Sequence, residues 1–183
     1  MNAVPPKHNP LLLPVSFFVG ILFGAFVFLA AKVNNPPPID HLDVDFWDLL
    51  GTEVPEVELE LLDGTPISSH HFKGQKHLLF FTDPNCSACD EVYPVLTEAA
   101  TRIPILMVAQ NSLEATKNKV AELGFTFPVV YDSLEVLTDP LRVGSYPTAM
   151  FIDADNRIVK AAGGDKSSKK VIRIAMSAQI EKE

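Results

Sequence analysis

The two cysteines of this 183-residue chain, Cys86 and Cys89, stand two residues apart in "FFTDPNCSACDEVYP". A thiol pair at that spacing could be a static bridge, half of a metal site, or a disulfide that forms and breaks. A static bridge is admissible in an oxidising compartment, but closing so short a loop removes little entropy from the unfolded chain and makes a poor staple. A zinc or copper site needs more donors than two thiolates. His70, His71 and His77 lie upstream, but their spacing specifies no ligand set, and they are expected to be solvated loop residues. A reversible disulfide asks only that a strand and a helix hold the two sulfurs together.

Those elements can be read around the pair. "VELELL" (57–62) alternates apolar and acidic residues, "DGTP" supplies a turn, and "HLLFFT" (77–82) is an apolar run short enough for a buried strand. After the cysteines, "ACDEVYPVLTEAAT" has helical spacing, with Val92, Leu96 and Ala99 or Ala100 on one face. "IPILMVA" reads as a buried strand and "NSLEATKNKVAELG" as a helix capped by Asn111 or Ser112 and ended by Gly124. A short strand "FPVVYD" follows, then a brief helical piece from Ser133 to about Leu141, the strand "TAMFID", a turn at "DADN" with Asn156 left-handed, and "RIVKAA" to complete a hairpin. An amphipathic helix from Lys166 to Ile180 closes the chain. Strands alternating with helices, then a hairpin and a helix, predict an α/β domain with a mixed central sheet flanked by helices.

In that frame Cys86 follows a buried strand and Cys89 falls in the first turn of the next helix. The helix start aims backbone N–H groups at the Cys86 sulfur, an environment that suits the thiolate, the form that attacks disulfides.

At this point the chain resembles the thioredoxin superfamily, and within it the membrane-anchored TlpA-like and ResA-like thiol-disulfide oxidoreductases. The resemblance spans roughly residues 53 to 180 and rests on "CSAC" between strand and helix, on Pro94 five residues after the second cysteine, and on "VGSYPTAMFIDADNRIV", which is similar to the family's Gly, cis-proline, strand and hairpin segment. "FPVVYDSLEVL" is similar to the insertion of the TlpA-like group. The resemblance implies a thioredoxin-like fold with Cys86 as attacking thiol, Cys89 as resolving thiol, Pro147 as the cis-proline facing them, and the Tyr146 backbone as a hydrogen-bonding edge for an extended substrate. It also implies protein substrates bearing disulfides or thiols and a membrane electron donor of the CcdA or DsbD type, with no cofactor and no metal. The chain departs from the family where Asn85 replaces the usual Trp, and where Phe80 and Val92 occupy the two positions at which relatives carry a buried acid. Asp83 and Glu91 remain as candidates for that proton-relay role.

Two other functions share the fold. A binding or assembly module would keep the architecture and use the cysteines little. A peroxidase of the peroxiredoxin type wants a Pro and a Thr at fixed spacing before its cysteine, and in "FTDPNC" the order is not met.

The N-terminal part reads differently. Leu11 to Ala31 is twenty-one residues without a charge, long enough as a helix to cross about 30 Å of hydrocarbon. An anchor is expected there, preceded by a cytoplasmic segment (1–10) and followed by a proline-rich, acidic spacer (32–52) and the domain (53–183). Lys7 and His8 precede the span and Lys32 follows it, so the positive charges differ by little. Asp40, Asp43, Asp45 and Asp48 accumulate beyond, with no further Lys or Arg up to Trp47, which favours a cytoplasmic N-terminus and an extracytoplasmic domain in a periplasm, an extracellular space or a thylakoid lumen. "NNPPPID" predicts a stiff extended segment that holds the domain off the lipid. Phe46 and Trp47 are expected at the domain edge or near the lipid interface. The net charge of −8, with Lys and Arg scattered, argues against nucleic acid as a partner. The combined reading is a membrane-anchored thiol-disulfide oxidoreductase, a reductase of exported proteins such as those of cytochrome c maturation.

Overall fold

The computed structural model describes residues 46–180. The cytoplasmic segment, the anchor at 11–31 and the proline-rich stretch lie outside the described residues.

Seven strands and four helices follow in order: β1 (Glu58–Glu60), β2 (Pro66–Ser68), β3 (His77–Thr82), α1 (Ser87–Asp90), α2 (Tyr93–Ala99), β4 (Ile105–Ala109), α3 (Leu113–Leu123), β5 (Val129–Tyr131), β6 (Thr148–Ile152), β7 (Ile158–Gly163) and α4 (Asp165–Ile180). The central sheet has the order β5-β4-β3-β6-β7. β3 pairs in parallel with β4, and β4 with β5, while β6 runs antiparallel to both β3 and β7. β1 and β2 form a separate antiparallel hairpin.

β3 is buried at every position, so its side chains sort by parity alone. Leu78 and Phe80 face a cluster with Cys89, Val92, Tyr93 and Leu96, and with Val171 and Ile172 of α4. Leu79 and Phe81 face a second cluster with Phe46, Leu49, Leu59, Leu137 and Leu141. Phe46 and Leu49 belong to the span read as spacer, yet both are buried there, so the packed domain takes in the last residues of that span. Trp47 between them is 78% exposed. An ion pair between Asp48 and Arg142 and a hydrogen bond from Gly51 N to the Ile158 carbonyl at 2.8 Å hold this entry to the domain.

Three local readings are corrected. The helix after the cysteines is two helices, α1 and α2, with a turn at Glu91 and Val92. Pro94 accounts for the interruption, because it has no N–H to donate to the Asp90 carbonyl four residues back. The brief helix expected from Ser133 to Leu141 is a series of turns. There the buried Asp132 carboxylate accepts from the N–H groups of Val136, Leu137 and Thr138 and from the Thr138 hydroxyl, at 2.8–3.0 Å. Hydrogen bonds to an ionised acceptor are roughly twice as strong as those to a neutral carbonyl, so the carboxylate captures the donors a helix would have used. Glu135, at φ 55, completes the fold-back.

The third correction concerns the histidines. His71 is exposed as expected, but His70 is half-buried and bonds through Nε2 to the Val54 carbonyl at 2.7 Å. His77 is buried at the start of β3, with Nδ1 on the Gln75 carbonyl at 3.0 Å and Nε2 buried without a partner. Protonation would place a charge where no acceptor meets it, and burial accordingly holds the imidazole below its ordinary value. A depressed value makes the contribution of His77 intact above the ordinary imidazole pKa and lost as pH falls through the depressed one. The urea midpoint of the parent should therefore fall more steeply than that of His77→Leu between about pH 7 and about pH 5. Equal slopes would remove His77 from the acid sensitivity of the fold.

Candidate functional site

β6 sets the site by its register. Thr148 lies opposite Phe81, so the residue before it, Pro147, arrives beside the end of β3, where the loop to Cys86 begins. The Tyr146–Pro147 peptide is cis. Two bonds fix the carbonyl of Pro147 from behind: the N–H of Gly164 donates to it at 2.8 Å and the buried Ser168 hydroxyl at 3.2 Å. Ser168 was not visible in the sequence as a site residue, since one hydroxyl in a lysine-rich helix carries no local signal.

Cys86 and Cys89 are free thiols, brought together by one turn of helix. Cys86 is the N-cap of α1, with β-region backbone, and its sulfur accepts from the Cys89 N–H at 3.3 Å. The same Sγ lies 3.5 Å from the Tyr146 carbonyl. The strand, the helix start and the cis-proline loop thus meet at one sulfur. Cys86 is partly exposed, whereas Cys89 is fully buried in the cluster beneath the sheet. Burial is the first cause that pushes the Cys89 thiol up to about 12, and its hydrogen bond with Cys86 adds to the shift. The Thr82 hydroxyl and the Asp83 backbone act in the opposite direction on the same sulfur.

The structure separates the two candidate acids. Asp83 sits at the loop and uses its carboxylate to accept from the Asn85 N–H at 2.8 Å and from the Asn111 side-chain amide. Glu91 is not brought to the cysteines: its side chain is 73% exposed and lies 3.7 Å from Lys169. Cys89 shares its buried cluster instead with Tyr93, whose hydroxyl lies 2.8 Å from that of the likewise buried Thr82. Sequence reading missed both. The available signal was Thr82 itself, a lone hydroxyl ending an apolar run. The Tyr146 phenol completes the rim, raised to about 12 by burial and then by the carboxylates of Glu135, Asp83 and Asp132. Among the described residues, no group of three or more His, Cys, Asp or Glu side chains could hold a metal ion.

Similar chains are known. Residues 50–161 match the sequence profile of the AhpC/TSA family. The chain belongs to that family. Among curated members, it is 29% identical over 129 residues to the thiol-disulfide oxidoreductase ResA of Bacillus thuringiensis, covering 67% of this chain and 74% of the relative. It is 27% identical over 132 residues to the methylamine utilization protein MauD of Paracoccus denitrificans, covering 69% and 64%. Of solved structures, a secreted Mycobacterium tuberculosis disulfide oxidoreductase homologous to E. coli DsbE superposes with a TM-score of 0.60 at 20% identity, over 67% of this chain and 95% of that one. A putative DsbE from Chlorobium tepidum gives 0.65 at 17% identity, over 72% and 97%. These likenesses show a thioredoxin-like fold, as expected from the cysteine, proline and hairpin motifs.

The burial contrast makes a chemical prediction. A thiol held up to about 12 stays protonated and shielded through neutral pH. In the folded, reduced protein a limiting amount of iodoacetamide near neutral pH should modify Cys86 and spare Cys89, which mass spectrometry of the peptides resolves. Equal modification, or preference for Cys89, would reverse the order of the two thiols.

Proposed function

We propose that this chain is a membrane-anchored thiol-disulfide oxidoreductase that reduces disulfides in exported proteins, the substrates of cytochrome c maturation among them. One observation carries the reading: an accessible sulfur at a helix start, Cys86, lies against the cis-proline loop with a buried thiol, Cys89, one turn behind it. The similarity to thiol-disulfide oxidoreductases ResA supports the same chemistry.

The cycle follows from that asymmetry. An extended substrate lies along the Tyr146–Pro147 edge, and the Cys86 thiolate attacks one sulfur of its disulfide. The electron pair leaves on the other substrate sulfur, which takes up a proton. Cys89 then gives up its proton and attacks Cys86 Sγ, forming the Cys86–Cys89 disulfide. The second substrate sulfur departs and is protonated, so the substrate gains two electrons and the pair loses two. A membrane dithiol donor of the CcdA or DsbD type restores the reduced pair. The charge-free span at 11–31 would fix the domain to the membrane with its N-terminus in the cytoplasm, and the proline-rich spacer would confine it to partners within reach.

Because Cys89 acts only in the second step, Cys89→Ser leaves the first intact. In cells producing the full anchored chain, this variant should accumulate higher-mass adducts on Cys86 that vanish with reductant. A cytochrome c precursor or a membrane donor among them supports the reductive reading, whereas a broad set of newly exported proteins would indicate an oxidase or isomerase. A folded variant that traps nothing would put the assembly-module reading first.

A further inference from the structure

Resolution of the mixed disulfide is the step this site makes difficult. Cys89 must lose its proton while fully buried, and neither candidate acid offers it a carboxylate: Asp83 is engaged with Asn85 and Asn111, and Glu91 is out in solvent beside Lys169. The two positions where relatives would carry an acid are Phe80 and Val92, both without any exposed surface and without a polar atom in the side chain. Something else must make the anion tolerable.

The polar groups in place are hydroxyls. Thr82 ends β3 on the face of Leu78 and Phe80, the face that meets α2, and is 1% exposed. Its Oγ1 lies 2.8 Å from the hydroxyl of Tyr93, a residue 3% exposed. The Tyr93 ring is held edge-on by Phe80 at 6.3 Å and by Phe125 at 5.4 Å between ring centroids, so its hydroxyl has a fixed position. Cys89 is packed in the same buried cluster as Phe80 and Tyr93, and the Thr82 hydroxyl works against the burial that raises the Cys89 thiol. Each hydroxyl has one hydrogen to give and can accept others. Once Cys89 is an anion, one arrangement uses both hydrogens fully: the Tyr93 O–H donates to Thr82 Oγ1, and the Thr82 O–H donates to Cys89 Sγ. A chain of hydrogen bonds ending on a charge polarises along its length and strengthens each member.

We propose that Thr82 and Tyr93 form a two-hydroxyl donor chain that stabilises the Cys89 thiolate as it resolves the mixed disulfide, with Thr82 donating to the reacting sulfur as its charge develops and Tyr93 positioning Thr82. The inference rests on the oxidoreductase reading above and assigns residues to its second step. The chain exchanges no net proton. Cys89 Sγ releases its proton toward the departing substrate sulfur, the Cys86–Cys89 bond forms, the bond from Cys86 to the substrate breaks, and the substrate leaves as a thiol. The hydroxyl hydrogens only turn toward the sulfur as its charge develops.

An aromatic disulfide whose departing thiolate is coloured, dithiobis-nitrobenzoate, reads the two steps separately. Attack by Cys86 releases the first equivalent and resolution by Cys89 the second. With the reduced protein in stopped flow, Thr82→Val and Tyr93→Phe should each lower the ratio of second-phase to first-phase rate by about tenfold, the rate equivalent of one hydrogen bond to a charged group. Their second-phase pH profiles should be displaced to higher pH. Thr82→Ser, which keeps the hydroxyl, should restore the parental ratio. A parental protein with two phases whose ratio and pH profile are unchanged in Thr82→Val and Tyr93→Phe overturns the donor chain and leaves the oxidoreductase reading standing. A Thr82→Ser ratio as low as that of Thr82→Val also overturns it, because packing and not the hydroxyl would then be responsible. A parental protein with no second release, or one whose second release survives Cys89→Ser, overturns the oxidoreductase reading and the donor chain with it.

Discussion

The antiparallel register between β6 and β3 is the constraint on which the site depends. With Thr148 opposite Phe81, the Tyr146 carbonyl falls 3.5 Å from the Cys86 sulfur, and the carbonyl of Pro147 turns back toward α4, where Gly164 and Ser168 hold it. A slip of one residue in β3 would exchange the faces of every side chain along it. Phe80 and Thr82 would leave the helices, and the Thr82 hydroxyl would lose Tyr93. The register is secured by burial on both faces, since Leu78 and Phe80 fill one apolar cluster while Leu79 and Phe81 fill the other. Core packing and the geometry of the sulfurs are therefore one specification.

From that frame follows a division of labour between two chemically identical side chains. Placing one thiol at the N-cap of α1 and the next a turn inward gives Cys86 a donor and an open side, and gives Cys89 neither water nor a nearby carboxylate. In the proposed cycle the order of the two steps is built into this difference: the sulfur that would meet the substrate is the one at the surface, and the sulfur that would end the reaction is the buried one. In the proposed donor chain the hydroxyls of Thr82 and Tyr93 limit the penalty that burial places on its ionisation.

Much of this was legible in the sequence because it depends on local signals. The apolar run of β3, Ser112 as N-cap and Gly124 as left-handed C-cap of α3, Asn156 at φ 64 in the hairpin turn, and the pairing of "CSAC" with "SYPT" each declare themselves within a few residues. What escaped depends on partners distant in the chain. Glu91 could serve as an acid on sequence distance alone, but Lys169 lies beside its outward-facing side chain. The helical spacing from Ser133 to Leu141 competes with one carboxylate, that of Asp132, whose burial no pattern announces. His77 heads the strand read from the sequence, but it was expected in solvent and is instead buried. Phe46 gains its place only through the second face of the sheet. The Thr82–Tyr93 pair is eleven residues apart across a turn and two helix starts, and neither hydroxyl carries meaning until the fold brings the two together beside the cluster that holds Cys89.

The central claim is that Cys86 and Cys89 form one reversible two-electron couple suited to reduction, and its most direct test is the equilibrium potential of the purified protein in glutathione or dithiothreitol buffers. Ser87 and Ala88 between the cysteines add no positive charge to stabilise a thiolate of the reduced form, so the couple should titrate as a single two-electron transition closer to about −270 mV, the value of thioredoxin, than to about −120 mV, the value of a strong oxidant. A potential at the oxidising end, or cysteines that do not titrate as a pair, would contradict the account.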